Sequence, residues 1–160
     1  MTNQEKIDAI VRHKDNVLKN AIFMGENLMK LGGQWESMGV MLIANGYIHD
    51  YSKFFGIEFE QLFSGNTDKD KMSMAISQHN KSNMHHPEYW PNGIRGMPDV
   101  YLAECVCDWK ARATEFGTSL VDWIDEEATK RFNFSKTDTI YTKIMFFVDL
   151  LCDKPFKKVT

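Results

Sequence analysis

The sequence predicts an all-α protein, one domain over residues 1–160 folded as a bundle of six to seven helices. Three observations carry that prediction. Apolar residues recur at helical spacing through most of the chain. No segment alternates apolar and polar residues as a half-buried strand would. The strong breakers, Gly32-Gly33, Ser64-Gly65-Asn66 and Pro91-Asn92-Gly93, fall between the periodic stretches rather than inside them.

Residues 4–30 form the first helix, with Ile7, Ile10, Val11, Val17, Leu18, Ala21, Ile22 and Leu28 at helical spacing, and Gly32-Gly33 ends it. A second helix covers 34–50 on the strength of Trp35, Met38, Met41, Leu42 and Tyr47. Gly56 to Phe63 forms a short helix, followed by the turn at Ser64-Gly65-Asn66, and Asp68 to about Asn80 forms another. Residues 81–97 lose periodicity and make a loop rich in reactive side chains. Pro98 suits the first turn of a helix over 98–116. Ser119 caps a helix over 119–131. Ser135 or Asp138 opens the last helix, which lines up Ile140, Ile144, Phe147, Val148 and Leu151 on one face.

Composition narrows the class of partner. Apolar residues make up 43% and charged residues 26% of the chain, ordinary values for a globular protein. The net charge of −3 gives no footprint for duplex nucleic acid. No apolar run reaches the length of a membrane span. The start, Thr2-Asn3-Gln4-Glu5-Lys6, is polar and does not read as a secretory signal. Three cysteines, Cys105, Cys107 and Cys152, have no framework spacing and point to reduced thiols in a cytoplasm. Cys105 and Cys107 read as small core residues, because a zinc knuckle needs a second pair. Trp123, Phe132, Phe134, Phe146, Phe147 and Phe156 mix core patterning with exposure, and an exposed set would make a homodimer face. Lys154, Lys157 and Lys158 read as a solvated tail.

The reactive side chains are unevenly spread. All five histidines fall before residue 90. His49 and Asp50 offer an imidazole and a carboxylate from adjacent positions. His13, 36 residues upstream, lies inside an apolar stripe between Ile10 and Val17, where it is either a satisfied core histidine or a ligand. Neutral imidazoles and carboxylates on inward positions are costly unless a cation collects them, so His49 and Asp50 are predicted metal ligands. Asp108 shares a polar stripe with Tyr101, Glu104, Arg112 and Glu115. Either that stripe is solvated and laced by pairs such as Asp108–Arg112, or it faces the site, with Asp108 as a ligand and Glu104 or Arg112 behind it. His79, His85 and His86 cluster in a loop pinned by Pro87, Tyr89 and Trp90. Neighbouring His85 and His86 are expected to point apart, with His86 the ligand. Lys53 is placed to reach an oxyanion or is a solvated lysine.

The order His13, then His49-Asp50, then Asp108 resembles the H…HD…D signature of the HD-domain superfamily, all-α metal-dependent proteins that are mostly phosphohydrolases. The match runs from residue 7 to about 115. The additional histidines resemble the subset that binds two metals. His49-Asp50-x-x-Lys53 followed by His85-His86 also echoes the HD-GYP proteins, but Gly96-Met97-Pro98 stands where their Gly-Tyr-Pro would be, so their cyclic dinucleotide specificity does not carry over. More closely, the strings HDYSKF, HHPEYW and LAECVCDWKAR resemble a small family of uncharacterised bacterial and phage-encoded proteins, a domain of unknown function.

The resemblance implies an HD-like domain that hydrolyses a nucleotide or another small phosphate ester or anhydride, in the cytoplasm of the cell or of a phage host. It implies that His13, His49, Asp50 and Asp108 hold one divalent metal and that His79 and His86 hold a second, with Asp50 bridging. Nitrogen and oxygen ligands without thiolate suit Mn, Fe, Co, Ni or Zn. Lys53 and Arg112 would neutralise charge on phosphate, His85 or Glu88 would move protons, and Tyr89 and Trp90 would stack on a base, with packing the equal alternative for Trp90. Two other readings compete. Some HD-fold proteins use a six-ligand diiron site to activate O₂, and a non-catalytic helical protein could bind or sequester a nucleotide.

Overall fold

The architecture comes from a computed structural model that describes residues 1–63, 65 and 68–152. Eight α-helical segments follow one another: α1 (Asn3–Leu31), α2 (Gln34–Ile48), α3 (Gly56–Gln61), α4 (Lys69–Ser82), α5 (Asp99–Phe116), α6 (Leu120–Trp123), α7 (Thr129–Arg131) and α8 (Thr139–Leu150). A π-helical stretch, Ile124–Ala128, joins α6 to α7 into one body, so the described residues form seven helical bodies and no strand. The all-α expectation therefore holds. No described helix is long and apolar enough to cross a membrane.

Local chemistry accounts for the helix ends. Thr2 and Glu5 close a capping box at the start of α1. Gly32 and Gly33, at φ of 72° and 59°, let the chain turn sharply from α1 into α2. Asp68 caps α4, Ser119 caps α6 and Asp138 stands at the start of α8, the second of the two positions the sequence offers there. Two boundaries move. α2 ends at Ile48 rather than at residue 50, and α4 runs on to Ser82. The predicted turn at 64–66 includes Ser64 and Asn66, which lie outside the described residues, as do Phe156 and the tail lysines Lys154, Lys157 and Lys158.

α1 packs along α2 over most of its length, and α5 fits against both. The α1–α2 contact is close because small residues face each other: a Cβ on Gly39 would collide with the carbonyl oxygen of Gly25. α5 is the central helix, and Leu102, Ala103, Cys105, Val106, Cys107 and Ala111 are all buried. Cys105 and Cys107 are thus core residues as expected, and burial pushes both thiols well above their ordinary pKa. α8 closes the far side with Ile144 and Phe147. Of the aromatic set proposed for a dimer face, Phe134 and Phe147 are buried, and Trp123, Phe132 and Phe146 pack against the core. Exposed apolar side chains are spread over several helices, with a group on α2 and the turn after it at Val40, Met41, Tyr47, Ile48, Tyr51 and Phe55. Met41 and Tyr47, two of the residues that predicted α2, therefore face outward.

Candidate metal centre

The early end of α2 builds the centre. Successive residues on a helix point about 100° apart, so a continuous helix could not aim both His49 and Asp50 inward. Instead His49 leaves the helix at ψ 133° and Asp50 takes the left-handed conformation at φ 54°. Aspartate is one of the few residues that tolerates this region. Both side chains end up buried, His49 2% and Asp50 1% exposed. The Lys14 ammonium holds the freed carbonyl of His49.

Around Asp50 the remaining candidates assemble from four other segments. His13 comes from α1, Asp108 from α5, His79 from α4, and His85 and His86 from the loop after α4. The Nε2 atom of His49 is 3.3 Å from Asp50 Oδ2, and that of His13 is 3.5 Å from it. On the other carboxylate oxygen, Asp50 Oδ1 lies 3.3 Å from His79 Nε2 and 3.2 Å from His85 Nε2. Asp108 joins from above, with Oδ1 3.0 Å from His13 Nε2 and Oδ2 3.6 Å from His85 Nε2. Two overlapping sets have donor atoms all within 4.8 Å of one another: His13, His49 and Asp50, and Asp50, His79, His85 and His86. A third such set is His49, His85 and Glu104. These groups could hold a metal ion, with Asp50 common to the first two.

A second layer fixes the rings. Glutamates take up the outward nitrogens, and because an ionised carboxylate only accepts, each such Nδ1 carries the proton. His13 Nδ1 donates to Glu115 at 2.8 Å, His49 Nδ1 to Glu104 at 2.9 Å, and His79 Nδ1 to Glu58 at 2.8 Å. Glu104 also lies 3.3 Å from His85 Nδ1. This tautomer turns each Nε2 lone pair inward, the arrangement by which metal-binding histidines are oriented. The Nε2 atoms of His13, His49 and His85, together with Asp50 Oδ1, are buried without a hydrogen-bond partner. Buried polar atoms are normally satisfied, so four orphans gathered around Asp50 fit the donors of a cation.

The electrostatics agree. Burial alone would discharge His13 and His49, yet contacts with Asp108 and Asp50 for the one, and with Asp50 and Glu104 for the other, push both up to about 9. Burial likewise opposes the Asp50 charge, but His49 and Lys53 hold its carboxyl well below the usual range. The centre thus draws positive charge into itself, which protons or a divalent cation can supply. His86 differs: burial and the neighbouring His85 push it down to about 2, so it stays neutral. Its Nε2 is 2.9 Å from His79 Nε2. With Asp50 and His85, these two rings could hold a metal ion.

Several sequence expectations change here. The polar stripe on α5 is not a solvated face: Glu104 is 4% exposed and Asp108 turns into the centre. Arg112 pairs with Glu115 at 2.9 Å, three residues on, rather than with Asp108. His85 and His86 do not point apart. The His86 N–H bonds the Asn83 carbonyl at 3.1 Å, closing a turn that brings both rings to the centre with centroids 4.2 Å apart. Glu88 lies outside the centre, exposed and paired with Arg131 at 3.0 Å. Trp90 packs on Tyr101 and donates to the Met84 carbonyl at 2.8 Å, a packing role rather than a stacking platform. Lys53 is buried with its ammonium on Asp50. The sequence reading gave no role to Glu58, Glu115, Ser52 or Asn83. Glu115 follows Asp108 by seven residues on one helix face and was findable on that signal. Glu58 lies in a short separate helix, where it accepts from Ser52 at 2.7 Å, and nothing in its spacing marks it.

A cavity of about 560 Å³ opens beside the centre. Its wall includes His79, His86 and Asp108, with the cations Lys53, Arg112 and Arg131 and a set of aromatic rings.

No curated protein and no solved structure shows a match to the chain. A family of unknown function, DUF5662, matches residues 2–149. The chain belongs to that family.

Proposed function

We propose that the protein is a metal-dependent phosphohydrolase of the HD superfamily, acting on a nucleotide or another small phosphate ester or anhydride. The observation that carries this reading is the set of buried Nε2 atoms of His13, His49 and His85, without partners and facing Asp50 and Asp108. His13, His49, Asp50 and Asp108 are the positions of the H…HD…D pattern, and their assembly around Asp50, with His85 added, supports the resemblance. The donors suit Mn, Fe, Co, Ni or Zn rather than a magnesium ion alone, because imidazoles dominate. Such an ion, when bound, polarises a phosphoryl oxygen and lowers the pKa of a water toward neutrality.

The chain's own groups do the rest. Lys53 uses one N–H on Asp50 and reaches the cavity, where its other donors can meet phosphate oxygens. Arg112, braced by Glu115, adds a second cation on the same wall. The geometry favours His85 as a ligand over a proton carrier, and it holds Glu88 away from the centre.

The test is metal content by elemental mass spectrometry on protein purified without a histidine tag or added metal, beside the His49→Ala/Asp50→Ala variant. One or two equivalents of a transition metal, lost in the variant, followed by phosphate release from a panel of phosphorylated compounds, is the expected result. Metal-free protein that cannot be reconstituted would sink the reading. A second reading rests on the sharing of Asp50 between two imidazole-rich sets, which also suits a diiron centre that activates O₂. Iron as the resident metal with O₂ consumption, and no phosphate release, would select it. Tight nucleotide binding without product would instead select a sequestering protein.

A further inference from the structure

The cavity meets the centre on one side only. His79, His86 and Asp108 are in its wall, and His13, His49 and His85 stand behind them. A volume of about 560 Å³ falls in the range of pockets for whole small molecules and is far more than a bare phosphate fills. The part of the wall away from the centre is aromatic. Trp109 lies 5.0 Å from Trp123 and stacks on Phe132 at 5.8 Å with the ring planes 16° apart. Phe63 joins them, and the Lys53 ammonium sits 5.8 Å from its ring centre.

The backbone contributes to this wall. Trp123 and Arg131 flank the π-helical stretch Ile124–Ala128. In a regular α-helix, residues eight apart point about 80° away from each other. One additional residue absorbed in a π turn reduces that to about 20°, which brings Trp123 and Arg131 onto one face. Both line the cavity. Arg131 lies 5.1 Å over the Phe132 ring and is held by Glu88. Asn80 and Thr118 add an amide and a hydroxyl to the lining, suited to the polar edge of a ring.

We propose that this cavity is a subsite for a flat ring carried by the phosphate compound: the ring lies against Trp109, Trp123 and Phe132, and the phosphate reaches the His79–His86 side between Lys53 and Arg112. The inference rests on the phosphohydrolase reading and narrows it, from any small phosphate to one bearing an aromatic or heteroaromatic ring. Ring-on-ring contact and apolar burial favour such a compound over an alkyl one of equal charge.

Binding without turnover tests it. The full chain, carrying the metal it purifies with, is titrated calorimetrically with phenylphosphonate, methylphosphonate, inorganic phosphate and benzyl alcohol. Tryptophan emission is read in parallel, because Trp109 and Trp123 line the cavity. Phenylphosphonate is expected to bind at least about tenfold more tightly than methylphosphonate and to quench the emission. Phe132→Leu, which keeps apolar bulk without a ring face, is expected to abolish that advantage. An unchanged methylphosphonate affinity in the same variant shows that it is folded. Equal affinity for phenylphosphonate, methylphosphonate and phosphate would overturn the ring subsite and leave the phosphohydrolase reading standing. Benzyl alcohol binding as tightly as phenylphosphonate would make the cavity a purely apolar site and overturn the proposal. No binding of any probe would overturn both the subsite and the phosphate reading.

Discussion

The two halves of the metal centre are built differently. In the deep half, His13 and His49 each have a glutamate behind the ring and an orphaned Nε2 in front. Neither ring lines the cavity. In the half that lines the cavity, His79 is backed by Glu58, but His86 has no carboxylate behind it and is held neutral by burial and His85. A ring locked by a second hydrogen bond keeps its tautomer and its direction through cycles of binding, and a ring without one can shift. Under the proposed function the deep half would retain an ion and the cavity half would present one to a ligand. Asp50 is the shared wall, with one oxygen toward each half.

The sharpest way to break this comparison is at that wall. Asp50→Asn keeps the volume and removes the charge, and it is expected to empty both halves. Metal content should fall to near zero with helical circular dichroism unchanged. Stoichiometric metal in that variant would show that Asp50 is not shared. Next in size is the contrast between His13→Gln and His86→Gln. The first should lose the tightly held ion. The second should lose only the cavity-side ion and leave the affinity of the other within about tenfold, the low end for losing an outer group. If His86→Gln empties the centre, the two halves are one site.

Acidity probes the rings that carboxylates raise, His13 and His49 in the deep half and His85 beside them. In metal-stripped protein, contacts with carboxylates raise His13 and His49 to about 9 against the resistance of burial. A group raised on folding contributes stability that is fully present below its unfolded value near 6.5 and lost as pH climbs through the folded one. The urea midpoint of stripped protein should therefore fall between about pH 6.5 and 9. His86, held down to about 2, is neutral in the folded protein throughout that window, and its opposite contribution is confined to the lower edge, where the unfolded imidazole still binds a proton. Protein loaded with metal should show no such decline, because the ion replaces the protons. A flat profile in stripped protein would mean that the carboxylates do not reach these rings in solution.

How much of this was legible in the sequence follows from how far each signal travels along the chain. The helices were readable because their signals are local: capping residues, glycines and a three-to-four spacing. His13 was placed inward by its apolar neighbours, and Cys105 and Cys107 by theirs. The end of α2 was misjudged by two residues because no local propensity demands that His49 leave the helix. The pull of Asp50 toward histidines from α1, α4 and the following loop demands it, and such contacts leave no trace in spacing. The polar stripe on α5 was ambiguous for the same reason. Tyr101, Glu104, Asp108, Arg112 and Glu115 look identical whether they face water or a buried centre, and only the placement of α1 and α2 decides. Glu58 shows the limit: it orients His79 from a short helix 21 residues away.

The finest test separates two glutamates within the deep half. The Glu104 side chain is 6% exposed and serves both His49 and His85. Glu115 is 17% exposed, serves His13 alone, and also accepts from Asn16 and Arg112. Losing an outer-layer carboxylate typically weakens metal affinity by about 10- to 100-fold. Glu104→Gln leaves two rings without an ionised acceptor in a dry site, so it should fall near the upper end. Glu115→Gln keeps an amide oxygen that can still accept from His13, and nearby water can make up part of the loss, so it should fall near the lower end or below it. Competition with a chelator of known affinity measures both. A larger loss at Glu115 than at Glu104 would mean that the His13 ring, and not the Glu104 pair, is the part of the deep half that holds the ion.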